Sequence, residues 1–166
     1  MLRIEHAWLD GAGLRAPREA LTYGELSIEV DGKPITRLLD LQARGVRERV
    51  RLPLCLVADF LLANWFPLLN ECSAPASARA DGFASRHDFS TAAPGFATPG
   101  LLIQSDGQAV LLEWRPLLHA HGGIQFLGSG SRQLPRPEVE QALAGFVDSV
   151  VARLADGGLG EDEACA

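Results

Sequence analysis

The chain has 166 residues, 47% of them hydrophobic, and a formal net charge of −6. This length and composition suit one domain that buries its core without metal or disulfide support. The negative charge argues against a protein that binds nucleic acid through bulk electrostatics. The cysteines Cys55, Cys72 and Cys165 form no CxxC pair and show no regular spacing, which indicates reduced thiols in a cytosol.

The N-terminal residues lack the basic start and the apolar run of a signal peptide. No later apolar run reaches the roughly 18 residues that a membrane-spanning helix needs. We therefore expect a soluble, cytoplasmic protein that does not contact a membrane.

The first third of the chain predicts a small antiparallel meander. Residues 25–30 alternate between apolar and polar side chains, which is typical of a half-buried strand. Asp31 and Gly32 then supply a tight turn, and residues 34–41 are predicted as the second strand of a hairpin.

An arginine-rich strand is predicted next, over residues 44–52. Strand alternation places Arg47, Arg49 and Arg51 on one face, opposite the valines and leucine of the same segment. A solvated outer face is the favoured interpretation. The alternative is a weak nucleic-acid or other anion-binding patch, but no aromatic side chains interleave the arginines as stacking platforms.

Two principal helices are predicted, over about residues 53–66 and 138–155, from apolar side chains at helical spacing. Pro67 predicts that the first helix ends or kinks near Asn64. Leu62 and Phe66 add apolar side chains outside its main stripe, so we expect this helix to be covered on more than one side.

The segment between the helices combines a loop with several short strands. Residues 72–82 are small and polar and predict a flexible surface loop, and residues 101–114 predict a hairpin that turns at Asp106 and Gly107. Residues 124–127 and 132–135 are further strand candidates. The predicted fold is one α+β domain over residues 1–156, followed by a disordered acidic tail over residues 157–166.

Arg86 and His87 are the most conspicuous polar pair. A histidine beside an arginine and Asp88 has the composition of a general base. No serine or cysteine stands near it in a recognised nucleophile setting, and sequence neighbours point in different directions. Structural hydrogen bonding is therefore favoured, followed by contact of Arg86 with an anion or a partner.

His119 and His121 form an HxH pair that could supply two metal ligands from one face of a strand. A third ligand would have to come from His87, Glu113 or Cys72, and the spacing selects none of them. The glycines that follow favour a turn, so we expect no metal. The single lysine, Lys33, lies far from the glycine-rich stretches, which excludes a phosphate-binding loop, and we expect no cofactor.

The three tryptophans are expected to be core residues, since each needs only one acceptor for its indole N–H. The alternative is that Trp65 or Trp114 anchors a protein interface, where aromatic residues and arginine dominate binding energy. Together with the polar pair, they complete a set of candidate binding residues: Arg86, His87, Trp65, Trp114 and Arg115.

The order of these features resembles a known family. A VDGxxxTR hairpin, an LPL…ADFLLANWFPLL helix, an RH pair, a PGLLI strand and an FVxxVxxRL helix follow one another between residues 26 and 154. The order is similar to the region ahead of the zinc peptidase domain in bacterial ImmA/IrrE-type proteins. The chain lacks the HExxH motif, to which the zinc and the protease activity belong, so the resemblance implies a module without catalysis.

The sequence thus predicts a non-enzymatic protein-binding or regulatory module. Such a module could belong to a bacterial phage-defence or toxin–antitoxin locus, with a partner encoded nearby. Recognition is expected through the irregular segment over residues 72–99. The alternative is a small hydrolase or metal-dependent enzyme that uses His87 with His119 or His121.

Overall fold

The computed structural model describes residues 1–9, 22–71, 82–119 and 122–156. These residues form three small antiparallel sheets and four helices, which confirms the predicted α+β class. Residues 10–21, most of the predicted loop over residues 72–82 and the predicted acidic tail lie outside the described residues. In the described part of the chain, no helix is long and apolar enough to cross a membrane.

The first sheet is built around one long strand. Its central strand pairs along one edge with the first strand of the chain and along the other edge with two short strands. The four strands are β1 (Leu2–Trp8), β2 (Tyr23–Val30), β3 (Lys33–Pro34) and β6 (Val50–Pro53).

The predicted hairpin forms, but its second strand is much shorter than expected. The turn at Asp31 and Gly32 is present, and only Lys33 and Pro34 pair with β2. The Thr36 side chain then replaces strand pairing: its hydroxyl oxygen accepts from the Ile28 N–H at 3.1 Å and its O–H donates to the Glu48 carbonyl at 2.7 Å. The chain therefore leaves this sheet at Thr36 and enters another.

The second sheet has four strands of three residues each. In spatial order they are β5 (Gly45–Arg47), β4 (Leu38–Asp40), β10 (Ile124–Phe126) and β9 (Leu117–His119).

The predicted arginine-rich strand is divided between the first two sheets. Its first part pairs in the second sheet as β5, and its last part pairs in the first sheet as β6. The alternation is correct for Val50 and Leu52, which are buried. It is wrong for Val46, which is 53% exposed because β5 is an edge strand of a different sheet.

The third sheet is the predicted hairpin with one added strand. Its strands are β7 (Gly100–Ser105), β8 (Ala109–Arg115) and β11 (Gly130–Pro135), with β8 in the centre. The Asp106 carboxylate accepts from the N–H groups of Gln108 and Ala109, at 2.9 and 2.7 Å. These bonds close the turn and lower the pKa of Asp106, the bond from Ala109 most strongly.

The predicted first helix is present but is broken. Helix α1 (Leu54–Ala63) ends at Asn64, and α2 (Trp65–Asn70) follows directly, with Pro67 in its first turn where a missing N–H costs little. The expectation that Leu62 and Phe66 are covered is wrong. They are 54% and 75% exposed, because only the other side of the helix pair faces the core.

The last helix, α4 (Arg136–Asp156), packs against α1, β1, β8 and β11. Its buried side chains repeat at helical spacing as predicted, although Val151 is exposed. Two short elements lie ahead of β7: helix α3 (Phe83–His87) and a single 3-10 turn (Phe89–Thr91). They bring the most polar part of the sequence against the third sheet.

Candidate functional site

Helix ends bring three polar side chains together. Glu71 is the first residue after α2, while Arg86 and His87 are the last two residues of α3. Arg86 binds both carboxylate oxygens of Glu71, with Nε–Oε2 and Nη2–Oε1 distances of 3.1 and 2.8 Å. His87 Nε2 lies 3.0 Å from the same Oε2. We call Glu71, Arg86 and His87 the clasp.

His87 also bonds to the edge of the third sheet. Its side chain is fully buried, and its Nδ1 lies 2.7 Å from the carbonyl oxygen of Ile103 in β7. The Ile103 carbonyl and the Glu71 carboxylate are both acceptors, so each ring nitrogen of His87 faces an acceptor. The Phe83 ring, one helical turn earlier, stacks on the imidazole with the ring centroids 4.1 Å apart.

The electrostatics of the clasp follow from this geometry. The hydrogen bonds from Arg86, and then that from His87, lower the pKa of Glu71 to about 2. The same carboxylate raises the pKa of Arg86. The clasp therefore joins α2, α3 and β7 through charged hydrogen bonds, and the structural interpretation of Arg86 and His87 is confirmed. The His87 side chain itself does not reach the surface.

Beside the clasp lies an open cavity of about 400 Å³ on the outer side of the third sheet. We call it the groove. Its lining consists of Phe83, Asp88, Gly100, Leu102, Glu113, Trp114, Arg115 and Gly130. Phe83 belongs to this lining and also stacks on His87, so one ring connects the groove with the clasp.

Strand register explains the polar walls of the groove. Glu113 on β8 lies opposite Leu102 on β7, and Leu102 in turn forms a bridge with Asp88. The row therefore places one carboxylate on each side of an apolar floor. Asp88 Oδ2 accepts from Arg115 Nη2 at 3.2 Å, while its Oδ1 accepts from the Ser90 N–H at 2.9 Å. Glu113 Oε2 accepts from Gln104 Nε2 at 3.1 Å.

Two glycines make room for the larger walls. A Cβ on Gly100 would lie 3.1 Å from the Arg115 carbonyl oxygen and 3.2 Å from Arg115 Cγ. A Cβ on Gly130 would lie only 2.6 Å from Cζ2 of Trp114. The Trp114 ring thus crosses the backbone of β11 at a position that only glycine fits, and it packs against the core while bordering the groove.

The candidate binding residues separate into two groups. Trp114 and Arg115 line the groove, and Arg86 and His87 support it from the clasp. Trp65 does not join them: it is partly buried and packs against the hydrophobic core, like Trp8. The predicted core role of the tryptophans therefore holds in part: all three pack against the core, but each is only half-buried. Sequence reasoning missed Leu102 and Phe83 as lining residues, because strand pairing rather than a motif brings them there.

Of the two histidines in the HxH pair, the structure describes only His119. His119 Nε2 bonds to the Thr98 carbonyl at 2.9 Å, while His121 and Cys72 lie outside the described residues. Within the described ranges, no three His, Cys, Asp or Glu side chains are grouped as a metal ion would require.

The three arginines of the predicted basic strand each face a carboxylate. Arg47 lies 3.1 Å from Asp40, Arg49 lies 3.6 Å from Glu5, and Arg51 lies 2.8 Å from Glu25. These exposed pairs agree with a solvated outer face, and they reduce the positive potential that a nucleic-acid patch would need.

Comparisons with known proteins add no family to this geometry. No family model matches the chain, and neither a curated protein nor a solved structure matches it.

Proposed function

We propose that the chain is a non-enzymatic protein-binding module that holds a segment of its partner in the groove. The observation that carries the proposal is the lining of the groove: charged side chains of both signs surround an apolar floor, and Arg115 is 70% exposed. An exposed ion pair contributes only about 0–1 kcal/mol to stability, so the fold gains little from Arg115. For a partner, Arg115 offers both a positive charge and a long side chain to contact.

The described lining lacks the serine, cysteine, histidine and lysine side chains on which many catalytic sites are built. Its two carboxylates are held by neighbours, Asp88 by Arg115 and Glu113 by Gln104, which favours binding over catalysis. His87, the nearest histidine to the groove in sequence, has both nitrogens engaged by Glu71 and Ile103. The proposal also agrees with the resemblance to the region ahead of the peptidase in ImmA/IrrE-type proteins, which implies a cytoplasmic regulatory role in a bacterial defence or toxin–antitoxin locus.

The experiment is co-purification of the tagged chain with the products of the neighbouring genes, each expressed with it in turn. We expect one product to be retained by the wild type and lost from a variant with Arg115→Glu and Glu113→Lys, which reverses both exposed charges. We expect the variant to fold with a somewhat lower melting temperature, because both side chains are exposed but Glu113→Lys removes the acceptor of the buried Gln104 amide.

Arg132→Glu is the matched control, because Arg132 is also an exposed strand arginine, paired with Asp31 at 2.8 Å but outside the groove lining. Retention of the same product by the groove variant and by the control alike would refute the groove as the binding site.

A further inference from the structure

A second surface, separate from the groove, is apolar without being covered. In the second sheet, Val46, Leu39, Gln125 and Leu118 lie directly opposite one another across all four strands. The neighbouring row of the same sheet contains Leu38 and Phe126, which are buried, so the first row faces outward. Val46 and Leu118, at its two ends, are 53% and 57% exposed.

The outward face continues beyond the strands. The Leu41 N–H donates to Gly123 at 2.8 Å and the Leu127 N–H donates to Arg37 at 3.0 Å, so both pairs extend the register of β4 and β10. Alternation places these residues on the same side as Leu39. Leu41 and Leu127 are 48% and 38% exposed. These apolar side chains surround one polar side chain, Gln125, in the middle of the row. An exposed cluster of apolar side chains of this kind is typical of an interaction site.

The face leads into a second cavity of about 430 Å³, which Leu118 also borders. The opposite wall of this cavity is the apolar segment before β7, and its described lining is Ser90, Ala93, Pro94, Gly95, Phe96, Ala97, Leu118, His119 and Gly122. The surface is therefore not flat. It combines a sheet face with a recess at the β9 edge that a protruding side chain can fill.

Two arginines give the face its charge. Arg37 lies beside Leu127, and Arg44 lies in the turn between β4 and β5; both are exposed. Neither forms an ion pair within the described part of the chain, in contrast to Arg47. The exposed Glu48 lies opposite Arg37 in the continued register of β4 and β5 and offsets part of this charge, so the two arginines leave a small positive excess around an apolar centre.

We propose that this surface binds an acidic amphipathic segment of another protein. We call it the leucine face; it comprises Arg37, Leu39, Leu41, Arg44, Val46, Leu118 and Leu127. Apolar side chains of the segment cover the leucines and fill the recess, while its carboxylates pair with the two arginines. A flat membrane surface cannot fill the recess. Nucleic acid is disfavoured because two arginines give few phosphate contacts and none of the seven residues is an aromatic stacking platform.

The test begins with a displayed library of random 14-residue peptides selected on the folded wild-type chain. Selected peptides should contain apolar residues together with several Asp or Glu, and a synthetic copy should bind in a fluorescence polarisation assay. Leu118→Glu and the double variant Arg37→Glu, Arg44→Glu should each weaken that binding by about tenfold or more, with an unchanged melting temperature. Replacing the peptide's acidic residues with lysine should restore binding to the double variant.

Matched controls separate this surface from the rest of the molecule. Leu62→Glu changes an exposed leucine of α1, and Arg115→Glu changes the groove; neither should alter peptide binding. Selection of peptides without acidic residues would overturn the proposal. So would equal loss in Leu62→Glu, dimerisation through this face in light scattering, or binding only to phosphatidylglycerol vesicles or RNA. A failure of the groove experiment leaves this result unaffected, because the two surfaces share no residue.

Discussion

His87 and Asp88 are neighbours in sequence, yet their surroundings are opposite. His87 ends α3 and is fully buried in the clasp, where both ring nitrogens are bonded. Asp88 begins the next turn, bridges to Leu102 and pairs with the exposed Arg115 at the groove. One step along the chain thus separates a group that holds the fold together from a group that borders the groove.

The difference shows that neighbouring polar residues, Arg86 and His87 on one side and Asp88 on the other, have separate roles. The edge of β7 needs a donor for the Ile103 carbonyl, and the end of α3 supplies the histidine there. The buried His87 ring lies between two acceptors, Ile103 and Glu71, and Arg86 pairs with the Glu71 carboxylate. Asp88, which takes no part in the clasp, lies on the groove side.

Replacing His87 gives the largest effect expected from the clasp. His87→Ala removes a buried ring that stacks on Phe83 and leaves the Ile103 carbonyl without its donor. We expect a loss of about 3 kcal/mol in the free energy of unfolding. Urea titration followed by circular dichroism measures this loss. Ser85→Ala, on the exposed side of the same helix, serves as the control and should change stability little. A loss in His87→Ala as small as in the control would contradict the structural role of the clasp.

The acid dependence of Glu71 gives an intermediate effect. The pKa of Glu71 in the folded protein is about 2, below its ordinary value of 4.5. The ionised carboxylate therefore contributes fully to the stability of the fold above about pH 4.5, and this contribution is lost as the pH falls towards 2. Glu71→Gln removes the charge at every pH. At pH 6 we expect the variant to be about 2 kcal/mol less stable than the wild type, since hydrogen bonds to a charged group are lost.

The pH series then isolates Glu71 from the other acidic groups. Asp31 and Asp106 also have lowered pKa values, but they are common to both proteins. The difference in unfolding free energy between wild type and Glu71→Gln should therefore shrink between pH 5 and pH 3 in urea titrations. A difference that stays constant over this range would show that the Glu71 carboxylate does not carry the contribution.

The elements were largely predictable because their signals are local. The hairpin at Asp106 and Gly107, the break near Asn64 and the face of α4 all follow from turn chemistry, proline and helical spacing. The division of the arginine-rich strand was not predictable. It depends on the side chain of Thr36 reaching the Glu48 carbonyl, which is a contact between the segment before β4 and the segment after β5.

The candidate site was predictable in its location but not in its geometry. Trp114 and Arg115 were identified from residue type, and both border the groove. The leucine face gave no sequence signal, because strands of three residues are too short for alternation to distinguish an outer row from a buried one. Register across four strands, drawn from two distant parts of the chain, is what aligns Val46 with Leu118.

The ion pair between Asp88 and Arg115 has the smallest expected effect on stability. It tests whether Asp88, in contrast to His87, contributes little to the fold through its side-chain pairing. In a double-mutant cycle of Asp88→Ala and Arg115→Ala, the coupling free energy should be below about 1 kcal/mol, because Arg115 is 70% exposed and water screens the pair. Asp88→Ala alone should cost more than Arg115→Ala alone, since Asp88 also accepts from the Ser90 N–H. The cycle subtracts that extra cost. A coupling as large as the loss in His87→Ala would mean that Asp88 and Arg115 belong to the stabilising core of the fold, and the groove would then have no charge left over for a partner.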